Sequence, residues 1–291
     1  DRLFIGANYF YEEIRKKLFS NYGAETLYSE GLVIKTSLDT DLQYLAEESL
    51  VKGLIQYDKN QGWRGVIGNL NEYNTKFENV IKKIINPFPN KWFLTKLDKV
   101  GSDKLFLSSN EFKNIEVDLT LKINNWLINK KFKKNDLLFI EKYNSSYVVR
   151  QIPKVNGAII VIDPFSGDIL AMSGGFSFDL SQFNRSTQAK RQPGSAFKPF
   201  VYISALKKGY TPSTLILDAP YVIDQGPGLP KWKPANYSDE FYGLTTMRTG
   251  IEKSRNLMTI RLANIIGIDT ILSSAKDFKI EKYLDKNMSM S

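Results

Sequence analysis

The rhythm of apolar and polar positions changes several times along the chain. From Asn8 to Tyr22, Phe10, Ile14, Leu18 and Phe19 recur near helical spacing, and Gly23 follows as a stop signal. Leu32 to Leu38 alternates apolar and polar residues, the period of a half-buried strand. Asp39 or Thr40 then caps a helix that carries Leu42, Leu45, Ala46, Ser49, Leu50 and Leu54 on one face and ends near Asp58.

Residues 63–150 have a different texture. Short β-prone runs are punctuated by Pro87-Phe88-Pro89 and by Gly and Asn, and Ile115–Ile123, Leu137–Glu141 and Tyr147–Ile152 read as strands. This pattern predicts a small β-barrel of the oligonucleotide/oligosaccharide-binding (OB) type, with an irregular β insert as the alternative. From Gly157 the texture shifts again. Ala158–Ile162 is a continuous apolar run, which predicts a strand buried on both faces. Asp163-Pro164-Phe165-Ser166-Gly167-Asp168 is turn chemistry, and Ile169–Met172 returns as a second strand. The hairpin reads as the edge of a catalytic sheet. No internal repeat or low-complexity tract is present.

At 291 residues and 42% hydrophobic content, the chain can bury a sizeable core as two domains or as one with an insert. No run of eighteen apolar residues occurs, and no signal peptide opens the chain at Asp1. The net charge of +9 is concentrated: residues 63–150 hold sixteen Lys/Arg against nine Asp/Glu. Such a segment suits an anionic partner, whether nucleic acid, lipid or acidic protein, and equally suits a solvated lysine-rich surface.

Residue types that are missing narrow the chemistry further. There is no cysteine, which removes disulfides and thiolate metal sites. There is no histidine, which removes Ser-His-Asp triads, histidine bases and histidine-ligated metals. A hydrolase or acyl transferase built on this chain must take its base from Lys, Glu, Asp or Tyr.

One decapeptide meets that demand. In Arg191–Phe200, Pro193-Gly194 breaks the chain and a helix follows in which Phe197, Phe200, Val201, Ile203, Ala205 and Leu206 are apolar on nearly every side. Lys207-Lys208-Gly209 ends it. Ser195 is thereby expected at a buried helix N-terminus, whose partial positive charge favours an alkoxide. Lys198 lies three residues on, over the same face. A lysine held in a dry site gives up its proton more readily and can act as a base. Ser-x-x-Lys by itself is uninformative, because it also occurs at Ser49/Lys52, Ser204/Lys207 and Ser273/Lys276. The breaker before Ser195 and the apolar helix after it set this copy apart. The second element is Ser254-Arg255-Asn256, between helical stretches Thr246–Lys253 and Leu257–Ile266. From such a loop Ser254 can relay a proton to a leaving group, and Asn256 can hold a substrate amide and the lysine. Ser-x-Asn also recurs at Ser108/Asn110, so order and spacing carry the signal.

Ser-x-x-Lys followed by Ser-x-Asn resembles the pattern of serine β-lactamases and penicillin-binding proteins. The flanking text is similar to the class A penicillin-binding proteins. It includes Gly157–Gly175, Phe183-Asn184-Arg185-Ser186-Thr187-Gln188, Trp232-Lys233-Pro234-Ala235-Asn236-Tyr237, and Gly31–Asp39 with Leu42-Gln43. The basic insert resembles the barrel domain of their 1A type. The resemblance implies an α+β transpeptidase fold of the penicillin-binding/β-lactamase kind, an antiparallel sheet with flanking helices, carrying an inserted OB-like β-barrel. It implies a linker over 1–30 after an absent glycosyltransferase domain, a first transpeptidase segment over 31–62, the insert over 63–150, and the transpeptidase domain over 151–291.

It further implies catalytic roles for Ser195, Lys198, Ser254 and Asn256, and no cofactor or metal. By that resemblance Ser195 is expected to attack the D-Ala–D-Ala bond of a peptidoglycan stem peptide, release D-alanine and pass the acyl group to an amine of a neighbouring stem, and β-lactams are expected to acylate the same serine. Partner proteins of cell-wall synthesis could be met through the insert, with nucleic acid disfavoured. The parent is expected at the periplasmic face of the inner membrane, anchored by segments outside this chain. The family's third motif, Lys-Thr/Ser-Gly, does not follow Asn256; Lys35-Thr36-Ser37 and Arg248-Thr249-Gly250 are look-alikes in the wrong order. The chain is therefore expected to be truncated before that motif, with little activity until the remainder is supplied.

Two other classes compete. A serine β-lactamase or D,D-carboxypeptidase needs a base to hydrolyse the acyl-enzyme, and Glu281 is the one glutamate beyond Asn256. A non-catalytic binding module would use the basic insert, with Trp63, Trp92 and Trp126 as stacking platforms and a strong salt dependence.

Overall fold

A computed structural model describes residues 6–224, 228 and 230–280. The chain forms two units, residues 1–189 and 190–291, each with its own core.

The first unit opens with α1 (Asn8–Ser29), whose regular geometry breaks at Gly23 (φ 80°, ψ 175°) and then resumes. The glycine therefore kinks the helix and does not end it. Tyr9 and Phe10 are the buried residues of α1, and the Tyr9 hydroxyl donates to the carbonyls of Ser177 (3.2 Å) and Ser181 (2.6 Å). The alternating stretch Leu32–Leu38 is not a strand. Residues 31–39 have no regular structure; the Ser37 hydroxyl donates to Ile169 O and Asp39 N–H to Leu170 O. Alternation alone supplies no ladder partner, and Val33 is 86% exposed.

Helix α2 (Thr40–Asn60) begins where sequence places it, with the Asp39 carboxylate accepting from Asp41 N–H and Leu42 N–H. Strands β1 (Gly68–Asn69), β2 (Trp92–Val100), β3 (Lys104–Ser108), β4 (Ile115–Asp118), β5 (Asp136–Tyr143) and β6 (Ser146–Arg150) form one antiparallel sheet, with the short helix α3 (Phe77–Ile81) between the first two. Its order is β4-β3-β2-β5, and β1 and β6 share the far edge of β5. Strand parity divides two cores. Leu97, Leu138 and Ile140 face one with Leu105, Leu127 and Val149, while Trp92, Leu94, Leu137 and Phe139 face the other with Val80 and Phe176.

This sheet is not the closed OB-like barrel that sequence predicts. Among the described residues no ladder joins β4 to β6. A side chain bridges that gap: the fully buried Asn124 donates from Nδ2 to Asp118 O and Tyr147 O (both 2.9 Å) and accepts Val149 N–H at Oδ1 (3.3 Å). β4 is only four residues long, and its chain turns away at Asp118, whose carboxylate accepts from Thr120. The architecture is α+β with small inserted sheets.

Strands β7 (Ile159–Ile162) and β8 (Ile169–Ser173) make a separate two-stranded antiparallel sheet. β7 is not buried on both faces, because Ile160 and Ile162 are 37% and 54% exposed. Buried Gln43 on α2 clasps β8, donating to Met172 O and accepting Met172 N–H. Beyond β8, a Cβ on Gly174 would stand 2.2 Å from Asn184 Oδ1, so only glycine admits that approach.

The second unit contains α4 (Lys198–Lys207), β9 (Leu215–Asp218), β10 (Gly243–Thr246), α5 (Met247–Glu252), α6 (Asn256–Ile266) and α7 (Ile268–Asp277). β9 and β10 pair antiparallel, from Gly243 with Asp218 to Thr246 with Leu215. Val201, Tyr202, Ala205, Met247, Met258, Leu262 and Ile271 fill its core. Gly209 (φ 90°) follows α4, as the sequence indicates. Among the described residues no single helix is long and apolar enough to cross a membrane.

Candidate active site

Ser195 belongs to a 3-10 turn, Gly194–Phe197, entered through Gly194 at φ 56°. Its carbonyl accepts the N–H of Lys198, the first residue of α4. Ser195 is exposed, and its hydroxyl makes no hydrogen bond among the described residues. The sequence expectation of a buried helix N-terminus at Ser195 is thus corrected. The turn is tighter than an α-helix, the helix proper starts at Lys198, and the burial belongs to the lysine.

Lys198 is only 2% exposed. Its ammonium has three N–H donors, and three acceptors meet it: Asn256 Oδ1 at 2.6 Å, Ser254 O at 2.7 Å and Ser254 Oγ at 3.1 Å. All three are neutral, and among the described residues no carboxylate pairs with this lysine. Burial pushes its pKa below the ordinary 10.5.

The loop that brings these acceptors is locally specified. α5 is capped by Thr246, whose hydroxyl accepts Thr249 N–H. It lies close to its neighbours through Gly250, where a Cβ would stand 2.7 Å from the Tyr202 hydroxyl and 2.9 Å from Met258 Cε. After α5, Ser254 takes a left-handed backbone (φ 52°), an uncommon conformation for a residue with a Cβ that turns its carbonyl and hydroxyl onto one ammonium. Arg255 N–H returns to Gly250 O, and α6 starts at Asn256. The helical stretches read on either side of Ser254-Arg255-Asn256 are α5 and α6.

Two residues outside the motifs enter the site. Asn236 Oδ1 accepts the N–H groups of Asn256 (2.9 Å) and Leu257 (3.3 Å), and its Nδ2 donates to Asp218 Oδ1 (2.8 Å) and Glu240 O (2.9 Å). Asn256 Nδ2 in turn donates to Ala235 O at 3.0 Å. Asn236 lies in the Trp232–Tyr237 segment that carries part of the family resemblance; Asp218 had no sequence signal. Glu281, the candidate hydrolytic base of the β-lactamase reading, lies outside the described residues.

One 3-10 turn after an exposed serine, a buried lysine is held by a second serine and an asparagine, an arrangement able to serve a nucleophilic serine without histidine. Residues 157–289 match the family described as the penicillin binding protein transpeptidase domain. Over its transpeptidase-domain region the chain is homologous to the class A penicillin-binding proteins of the 1A type. It is 40% identical to penicillin-binding protein 1A of Rickettsia prowazekii over 98% of this chain and 37% of that protein. It is 31% identical to that of Pseudomonas aeruginosa over 99% of this chain and 36% of that protein. The crystal structure of penicillin-binding protein 1A from Haemophilus influenzae superposes with a TM-score of 0.87 at 27% identity, covering 98% of this chain and 43% of that one. The chain therefore spans well under half the length of these relatives.

Proposed function

We propose that the chain carries the acyl-accepting serine of a peptidoglycan D,D-transpeptidase that β-lactams also acylate. The observation that bears this reading is the ammonium of Lys198 held by three neutral acceptors from Ser254 and Asn256. In its neutral form Lys198 takes the Ser195 hydroxyl proton as Oγ attacks the carbonyl carbon of the penultimate D-alanine. The tetrahedral intermediate collapses, the C–N bond to the terminal D-alanine breaks, and the leaving nitrogen receives the proton from Lys198 through the Ser254 hydroxyl. Asn256 holds the lysine and is available to a substrate amide. An amine of a second stem peptide then attacks the acyl ester, its proton returns through the same pair, and Ser195 is freed with one cross-link made.

In a β-lactam the broken amide is in a ring, so the leaving nitrogen stays tethered and the ester persists. The stem peptides, the β-lactams and a periplasmic, membrane-anchored setting come from kinship with the 1A proteins, and partner proteins at the insert belong to the same proposal. The test uses the longest natural polypeptide carrying these residues, a D-Ala–D-Ala donor peptide and an amine acceptor. Release of D-alanine with formation of the donor–acceptor amide, abolished in Ser195→Ala, is the expected result. Release of D-alanine with water as the only acceptor assigns the chain to hydrolysis instead.

A further inference from the structure

We propose that Asn236 and Asp218 are positioning residues that hold the Ser254-Arg255-Asn256 element against Lys198; the inference rests on the transpeptidase reading above. The N-terminus of α6 lacks a cap of its own, since the side chain of Arg255, at the cap position, accepts no hydrogen bond. The cap arrives instead from twenty residues earlier. Asn236 Oδ1 takes the first two amide hydrogens of α6, including that of Asn256 itself. The amide can face only one way. Its oxygen side meets two N–H donors, and its nitrogen side meets two acceptors, Asp218 Oδ1 and Glu240 O.

Asp218 is completely buried at the end of β9, opposite Gly243. Its second oxygen makes no hydrogen bond among the described residues and lies 4.0 Å from Arg255 Nε, while the Arg255 guanidinium stacks 3.3 Å over the Tyr242 ring. A carboxylate therefore fixes an amide, the amide fixes the start of a helix, and the first side chain of that helix reaches Lys198 at 2.6 Å. Loss of this chain of contacts moves Asn256 Oδ1, the nearest of the three lysine acceptors, and lets water reach the ammonium, which returns its pKa toward the ordinary value.

Exchanging the pair tests this. Asn236→Asp sets two carboxylates face to face, Asp218→Asn alone keeps an acceptor for Asn236, and the double variant restores a donor–acceptor pair with the roles reversed. Two measurements are made on the longest natural polypeptide: the rate of acylation by a labelled penicillin across pH, and the Lys198 titration by NMR of labelled lysine, assigned by its loss in Lys198→Ala. Asn236→Asp is expected to slow acylation about tenfold or more and move the Lys198 titration to higher pH. The double variant is expected to recover most of both. The inference is overturned if Asn236→Asp lowers only the melting temperature and leaves the Lys198 titration in place, or if the double variant is no better than Asn236→Asp. If wild type is not acylated while the titration moves and recovers as described, the positioning stands and the transpeptidase reading falls.

Discussion

Lys198 shows how a single residue can be legible in part. Its spacing from Ser195 is in the sequence, but three other Ser-x-x-Lys pairs share that spacing. The breaker, the apolar helix and the later Ser254-Arg255-Asn256 single it out in sequence; the structure adds its almost complete burial and the three neutral acceptors that meet it. Because burial depresses its pKa, the neutral base is populated below the usual lysine range. Acylation of Ser195 should accordingly rise with pH through one ionisation below 10.5, the ordinary lysine value, and Lys198→Ala should lose that limb with a rate loss of about 10²-fold or more. Stopped-flow acylation across pH checks both.

Glu47 on α2 titrates in the opposite sense. Burial raises its pKa from 4.5 to about 7, against hydrogen bonding from Gln43 and the charge of Lys91. The folded state then binds more protons than the unfolded one between those values, so this group's contribution falls as pH rises from 4.5 to about 7 and stays low above it. Glu47→Gln keeps an acceptor for Gln43 and removes the ionisation. It should be neutral near pH 4 and stabilise by roughly 1–3 kcal/mol at pH 8, read by chemical denaturation.

At the scale of elements, sequence succeeded where a local signal decides and failed where pairing decides. Asp39 caps α2 and Gly209 follows α4, both through their own backbone chemistry. The turn Asp163–Asp168 forms as its residues require, with the Asp163 carboxylate accepting from Phe165 and Ser166 N–H. Leu32–Leu38 has the period of a strand without a partner, and the apolar run at β7 keeps two isoleucines exposed. The predicted barrel does not close for a related reason: closure is a property of the two edge strands, and a buried side chain, Asn124, occupies the place of their ladder. Asn124→Leu preserves bulk and strips three hydrogen bonds from the buried junction. It should cost about 3 kcal/mol, measured as a shift in the denaturation midpoint at unchanged slope.

For the whole molecule, composition excluded more than it identified. Absence of histidine left Lys, Glu, Asp or Tyr as the base for a serine nucleophile, and the kinship with the 1A proteins agrees with the family that the motifs suggest. The basic segment gives no support to a nucleic-acid platform. Trp63 packs edge-on against Trp126 at 5.4 Å and at a tilt against Phe132 at 6.0 Å, and Trp92 is 2% exposed, so these rings serve the cores. Lys130, Lys131, Lys133 and Lys134 are exposed, as expected of a solvated surface.

The central claim is that Ser195, served by Lys198, Ser254 and Asn256, is the acyl acceptor. The direct measurement is peptide mapping by mass spectrometry after the longest natural polypeptide is incubated with penicillin. The account predicts one penicilloyl group per chain, on Ser195, long-lived in the wild type and absent from Ser195→Ala. An adduct on any other residue, or one that persists in Ser195→Ala, would contradict it.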